Sequence, residues 1–85
     1  MAYILELKKR VLKDIESLPL EIQQRILEEI AELLENPLKH GVIKLTDQDS
    51  YRTRVGNYRI VFNVDNENQV LTLITVDHRN KVYKK

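Results

Sequence analysis

The 85-residue sequence predicts an α+β domain, in which an N-terminal strand precedes a two-helix antiparallel hairpin packed on an antiparallel β-meander of three to four strands. Two patterns carry this prediction. Apolar residues recur at helical spacing in the first half of the chain, whereas β-branched and aromatic residues form runs separated by turn residues in the second half. Because the length allows one small core, we expect a single domain over residues 1–85.

The first half begins with a short strand at Tyr3–Leu7, where apolar and charged residues partly alternate. Two amphipathic helices follow, separated at Pro19, because proline lacks the N–H that a helix interior needs but is tolerated in a first turn. Asn36-Pro37 ends the second helix. The apolar positions at helical spacing are Val11, Leu12, Ile15 and Leu18 in the first helix and Ile22, Ile26, Ile30, Leu33 and Leu34 in the second.

Strands are predicted in the second half at Tyr51–Val55, Tyr58–Val64 and Val70–Val76, and a short one at Val42–Leu45 would make four. The turns between the three long runs are Gly56-Asn57 and an Asp/Asn-rich segment. Two hairpins in series therefore form the meander.

Gly56-Asn57 suits a two-residue type II′ turn, in which glycine takes the positive φ at the first central position. This turn fixes the register so that Arg54 faces Arg59 across the two strands. Arg52, two residues before Arg54, shares the same face. Three guanidinium groups are thus predicted to converge on one patch.

Directly opposed arginines repel each other by about 0.7–3 kcal/mol at roughly 6 Å. A bound phosphate would reverse the sign of this term, because each guanidinium can then form a charge-assisted hydrogen bond. The alternative interpretation is that the arginines extend into solvent or pair with Asp65 or Asp77.

Charge is also sorted along the chain, although the net charge is only +1. Residues 1–38 hold five basic and eight acidic side chains, whereas residues 39–85 hold nine and five. This asymmetry favours an acidic partner, either nucleic acid or an acidic polypeptide. The chain has no cysteine, no metal-ligand spacing, no Gly-rich phosphate loop and no apolar stretch of membrane-spanning length, so we expect a cytoplasmic protein without cofactor or metal.

The sequence YRTRVGNYRIVF at residues 51–62 and HRNKVY at residues 78–83 resemble the RelE branch of the RelE/ParE toxin superfamily. The similarity spans nearly the whole chain, including the early strand, the helical hairpin and the proline after the second helix. It implies a toxin of a type II toxin–antitoxin system that cleaves mRNA in the ribosomal A site without a metal ion. The ribose 2′-hydroxyl would attack the adjacent phosphate, leaving a 2′,3′-cyclic phosphate and a 5′-hydroxyl. The implied partners are a cognate acidic antitoxin and a 70S-type ribosome holding mRNA.

The resemblance also implies roles for individual residues. Arg52 and Arg54 would contact RNA and assist at the 2′-oxygen, and Arg59 would clamp the phosphate. Arg79 would stabilise or protonate the leaving oxygen, and Tyr83 would stack on a base or transfer a proton. The further RNA-binding residues predicted are Lys44, His78, Lys81, Lys84 and Lys85.

Some relatives carry lysine where this chain has Arg52 and Arg54. Arginine stays protonated up to about pH 12 and is a poor general base. The proton of the 2′-hydroxyl would then go to Tyr83, to His78 or to ribosomal RNA. Two alternatives share the expected fold: a ParE-like toxin that inhibits DNA gyrase through protein contacts, and an inactive member that only binds its antitoxin.

Overall fold

A computed structural model describes residues 2–45 and 50–78 of the chain. Within these residues two helices and five strands follow in the predicted order of strand, helices and strands. The elements are β1 (Ile4–Leu7), α1 (Lys9–Glu16), α2 (Leu20–Glu35), β2 (Ile43–Lys44), β3 (Ser50–Val55), β4 (Tyr58–Asp65) and β5 (Val70–His78).

The strands form one mixed sheet in the order β1-β5-β4-β3-β2. Strands β2 to β5 are the predicted antiparallel meander, with four members, and β1 joins the outer edge of β5 in parallel. The α+β prediction is therefore confirmed, and the N-terminal strand extends the sheet to five. Tyr3 lies outside β1, because its backbone N–H donates to the carbonyl of Leu34 in α2 at 2.8 Å.

The two helices meet at Pro19, the residue before α2, so the predicted break between them is confirmed. The side chain of Gln23 spans the junction, donating from Nε2 to the carbonyl oxygens of Glu16 and Leu18 at 3.1 and 2.8 Å. These bonds satisfy the carbonyl group of the last residue of α1 and that of Leu18 in the connection between the helices. Neither helix in the described part of the chain combines the length and apolar character needed to span a membrane.

The core lies between the helices and one face of the sheet. Most of the apolar positions at helical spacing are buried, whereas Leu12 is 46% exposed. The buried ones are Val11, Ile15, Ile26, Ile30 and Leu33, and the partly buried ones are Leu18, Ile22 and Leu34. The buried strand residues share one face, and they are Thr53, Val55, Ile60, Phe62, Val64, Leu71, Leu73 and Val76. In the described residues both helices pack on this face of the sheet, which we call the helix-covered face. The opposite face of the sheet is the open face.

A β-bulge in β5 keeps this core continuous. The register of β4 against β5 shifts between Val61 and Phe62, which pair with Thr75 and Leu73, so Ile74 is the extra residue. The extra residue resets the two-residue alternation of side chains. Leu73 and Val76 consequently both face the helices, and Asp77 lies on the open face of the sheet.

Candidate functional site

The predicted arginine cluster is present on the open face of the sheet. Arg54 pairs with Arg59 and Arg52 pairs with Val61, which confirms the register predicted from the turn. Gly56 has a φ of +59°, and Gln69 is the one non-glycine residue with a positive φ in the described chain. A positive φ at Gly56 but not at Asn57 is the pattern of a type II′ turn. The turn therefore places Arg52, Arg54 and Arg59 together on the open face, and we call these three residues the arginine face.

Asp77 completes this row of charges on the other side of Arg59. Arg54, Arg59 and Asp77 thus lie side by side on β3, β4 and β5, and directly opposed residues have Cβ atoms about 4.5–5.5 Å apart. Arg54 is exposed, whereas Arg59 and Asp77 are half-buried. Among the strand neighbours on the open face, the three cationic groups of the arginine face have one carboxylate beside them, which leaves an excess of positive charge on the sheet itself. At the edge of β3, Arg54 also lines a pocket with Glu28, Glu29 and Glu32.

Asp65, the other carboxylate considered as an arginine partner, is engaged locally instead. Its Oδ1 accepts hydrogen bonds from the backbone N–H groups of Glu67 and Asn68, and its Oδ2 accepts one from the Asn68 side chain. The bonds from the Asn68 side chain and backbone, with that from Glu67, lower the pKa of Asp65 from its ordinary value. Asp65 therefore stabilises the turn between β4 and β5.

Two of the predicted RNA-binding residues lie away from the arginine face. Lys44 pairs with Tyr51, whose ring stacks on Phe62 at 5.9 Å on the helix-covered face. His78 pairs with Tyr58, and the two rings meet edge to face with centroids 5.1 Å apart. The register places both residues on the helix-covered side of the sheet, so the structure does not bring them together with Arg52, Arg54 and Arg59.

The remaining predicted site residues lie outside the described residues. They are Arg79, Lys81, Tyr83, Lys84 and Lys85. In the sequence, Arg79 directly follows His78, the last residue of β5. Its role and that of Tyr83 stay predictions.

Behind the arginine face lies a polar network that the sequence analysis missed. Lys39 Nζ donates to Glu29 Oε1 at 2.8 Å and also bonds Glu32, and Thr53 Oγ1 donates to Glu29 Oε2 at 2.9 Å. Partial burial by itself lowers the pKa of Lys39, but the bonds and charges of the two glutamates outweigh it and raise that pKa. In sequence these glutamates belong to the charged stripe of an amphipathic helix, and nothing in that pattern distinguishes them from solvated residues.

The network and the arginines share one groove. An open groove of about 410 Å³ is lined by Glu29, Lys39, His40, Gly41, Ile43 and Arg52 to Arg54. It lies where the short β2 ends beside β3. The fold and this site together define a class of protein: a small α+β domain that leaves one sheet face uncovered and concentrates guanidinium groups there, an arrangement suited to a polyanion.

Comparisons with known proteins identify the family. The family model of the ParE toxin of type II toxin–antitoxin systems matches residues 5–83. The putative toxin RelE1 of Methanocaldococcus jannaschii is 31% identical over 99% of this chain and 98% of its own length. The chain belongs to the ParE toxin family of type II toxin–antitoxin systems, and within it is RelE-like.

Solved structures agree with this assignment. The archaeal RelE–RelB complex from Pyrococcus horikoshii contains a chain that is 31% identical, with a TM-score of 0.86 over 95% of this chain and 99% of that one. The intact RelBE toxin–antitoxin complex of E. coli matches with 26% identity and a TM-score of 0.81, over 91% of this chain and 96% of that one. The expected fold and superfamily are thus confirmed.

Proposed function

We propose that this toxin is a metal-independent endoribonuclease that cuts mRNA in the ribosomal A site and thereby inhibits translation. The observation that carries the proposal is the direct opposition of Arg54 and Arg59, with Arg52 beside them, on the open face of the sheet. Opposed cations oppose folding, and a phosphate between them turns this repulsion into attraction. A chain that only had to fold would gain by replacing one of these arginines.

In the proposed reaction the 2′-oxygen of a ribose forms a bond to the adjacent phosphorus, and the bond from phosphorus to the 5′-oxygen breaks. Products are a 2′,3′-cyclic phosphate and a 5′-hydroxyl. A base removes the 2′-hydroxyl proton, and an acid delivers one proton to the leaving 5′-oxygen. The arginine face would supply the third requirement, charge stabilisation of the phosphorane.

Within this scheme Arg59 is the phosphate clamp, because the sheet holds it between Arg54 and Asp77. Half-burial next to a carboxylate limits the conformations of the Arg59 side chain before the substrate arrives, and this would lower the reorganisation cost of binding. Arg52 and Arg54 contact the neighbouring backbone and the 2′-oxygen. Arg79 would assist the leaving oxygen, and Tyr83 or ribosomal RNA would take the 2′ proton.

The proposed partners are an antitoxin and the ribosome. The solved relatives from P. horikoshii and E. coli are complexes of a toxin with RelB, which supports a cognate antitoxin for this chain as well. An acidic antitoxin segment would compete for the same arginines as RNA. We place the activity in the cytoplasm, where ribosomes translate.

The test uses purified protein, programmed ribosomes and two mRNAs. One mRNA is unmodified, and the other carries a single 2′-deoxy nucleotide on the 5′ side of the scissile phosphate. We expect a cut within the A-site codon of the first and none in the second, since the deoxy sugar lacks the nucleophile. Cleavage of both would reveal attack by water and refute the proposed chemistry.

Matched variants test the site. Arg59→Ala should abolish cutting, whereas Lys9→Ala, which removes an exposed charge at the start of α1, should cut at the wild-type rate. Equal loss in both would show that general charge, not the arginine face, supports the reaction.

The second candidate is inhibition of DNA gyrase, because the matching family model is that of ParE toxins. This activity would require protein contacts and no nuclease chemistry. Gyrase-dependent DNA breaks with intact mRNA would favour it. A protein that neither cuts mRNA nor breaks DNA, but still binds its antitoxin, would be an inactive member of the family.

A further inference from the structure

Glu29 is a mostly buried carboxylate with a specific partner for each oxygen. Its side chain is 14% exposed, Oε1 accepts from Lys39 Nζ at 2.8 Å, and Oε2 accepts from Thr53 Oγ1 at 2.9 Å. Thr53 itself is only 4% exposed. A buried carboxylate is costly unless it is paired in this way, so the side chain is held in one orientation.

The bond to Thr53 fixes a part of β3 that pairs with β4 on one side but, in the described residues, with no strand on the other. In the described residues β2 pairs only with Tyr51 and Arg52, so Thr53 to Val55 form an open edge on that side of β3. Thr53 lies between Arg52 and Arg54, and side chains alternate along a strand. Thr53 therefore points toward α2, and its two arginine neighbours project to the opposite face.

The bond to Lys39 fixes the loop between α2 and β2, residues 36–42. The loop is tightened by backbone bonds from Lys39 N–H to the Asn36 carbonyl and from Val42 N–H to the Lys39 carbonyl, at 3.1 and 3.2 Å. It then enters β2, where Ile43 pairs with Arg52. One oxygen of Glu29 thus binds Thr53, the neighbour of Arg54 on β3. The other binds Lys39, in the loop that leads to Ile43, the strand partner of Arg52.

We propose that Glu29 is a positioning residue for the arginine face, acting through Thr53 and Lys39 on the edge of the sheet from which Arg52 and Arg54 project. The inference rests on the proposed function for its effect on cleavage. Its physical basis is pre-organisation: a misplacement of about 1 Å can cost on the order of 100-fold in rate. The two hydrogen bonds of Glu29, to Thr53 and to Lys39, form what we call the tether. Glu29, Lys39 and both arginines line the same groove, so a shift of the tether would move Arg52 and Arg54.

Substitutions at position 53 separate the hydrogen bond from the packing. Thr53→Val keeps the shape and removes the hydroxyl, whereas Thr53→Ser keeps the hydroxyl and removes a methyl group. We expect Thr53→Val to lower kcat for ribosome-dependent cleavage about tenfold with KM changed less than about threefold, and Thr53→Ser to stay within about twofold of wild type. Rates are compared at a temperature where circular dichroism shows every variant fully folded.

A second pair of variants tests the glutamate. Glu29→Gln replaces one accepting oxygen by a donating NH2 group and removes the negative charge, so it cannot accept from Lys39 and Thr53 on separate oxygens and should resemble Thr53→Val. Glu32→Gln is the matched control, because Glu32 is exposed and bonds the same lysine, whereas the Thr53 hydroxyl donates to Glu29. Wild-type cleavage by Thr53→Val, or equal losses in the two glutamine variants, would overturn the proposal.

Hydrogen exchange distinguishes a failure of this inference from a failure of the proposed function. If wild-type protein does not cut mRNA, the nuclease proposal fails, but the tether remains testable. Backbone amides of residues 52–55 should then exchange faster in Thr53→Val and Glu29→Gln than in Thr53→Ser and Glu32→Gln. Unchanged protection in all four variants would refute the positioning role.

Discussion

Replacing Arg54 by glutamine should make the protein more stable and less active. Arg54 is directly opposite Arg59, and both carry positive charge at neutral pH. Glutamine keeps a polar side chain of similar reach and removes the repulsion. Arg59 keeps Asp77 as its other cross-strand neighbour, so the variant leaves an opposite-charge pair in place of a row of three charges.

The size of the effect follows from Coulomb's law. Two unit charges about 6 Å apart repel by about 0.7 kcal/mol at an effective dielectric constant of ~80 and about 2.8 kcal/mol at ~20. Arg54 is exposed, so the lower value applies. We expect the free energy of unfolding of Arg54→Gln to rise by about 0.5–1 kcal/mol at low salt.

Urea denaturation at low and high salt is the assay. At about 0.5 M NaCl the Debye length falls to roughly 4 Å, which screens a 6 Å pair, so the gain should shrink to a few tenths of a kcal/mol. Arg54→Lys is the matched control, because it keeps the charge and should show neither the gain nor its salt dependence. Loss of stability in Arg54→Gln at low salt, or a gain that salt does not change, would refute the electrostatic argument.

Three further predictions concern the turns. Asp65→Asn should lower stability at neutral pH. Because the folded pKa of Asp65 is below its ordinary value of 3.8, the carboxylate's contribution is present above that value and lost as pH falls through the folded pKa; urea titrations should therefore show the gap to wild type closing below pH 4. Gln69→Gly should raise the free energy of unfolding by about 0.5 kcal/mol, since Gln69 has a φ of +56° that glycine adopts without steric cost, and a β-branched Gln69→Val should lower it. Gly56→Ala should cost about 1–2 kcal/mol in the same assay. Its added Cβ would meet the Arg25 guanidinium at an ordinary 3.7 Å, so a cost near zero would show that the φ of +59° is not strained.

The arginine face could be predicted from sequence because its determinants are local. Gly56-Asn57 specifies a two-residue turn, the turn sets the register, and the register places Arg54 opposite Arg59 whatever packs elsewhere. Helix boundaries near Pro19 and Asn36 were predictable for the same reason, since proline acts on its own backbone and that of its neighbour.

Non-local contacts could not be read in this way. The pairing of β1 with β5 joins residues more than 60 positions apart, and no turn between them specifies parallel or antiparallel direction. The sequence pattern likewise does not indicate that Ile74 is an extra residue in β5. Its bulge decides which side of the sheet Asp77 occupies, and so whether Arg59 has an acidic neighbour.

The order of elements, the hairpin register and the placement of three arginines on one face follow from the amino-acid sequence alone, because periodicity and turn chemistry act over a few residues. The role of Glu29, by contrast, depends on tertiary packing: it belongs to the charged stripe of α2, yet it bonds Thr53 and Lys39. The spacing of the glutamates along α2 would be the same if all of them were exposed to solvent. Burial beside β3 makes the difference, since it removes water and leaves the carboxylate to find its partners within the chain.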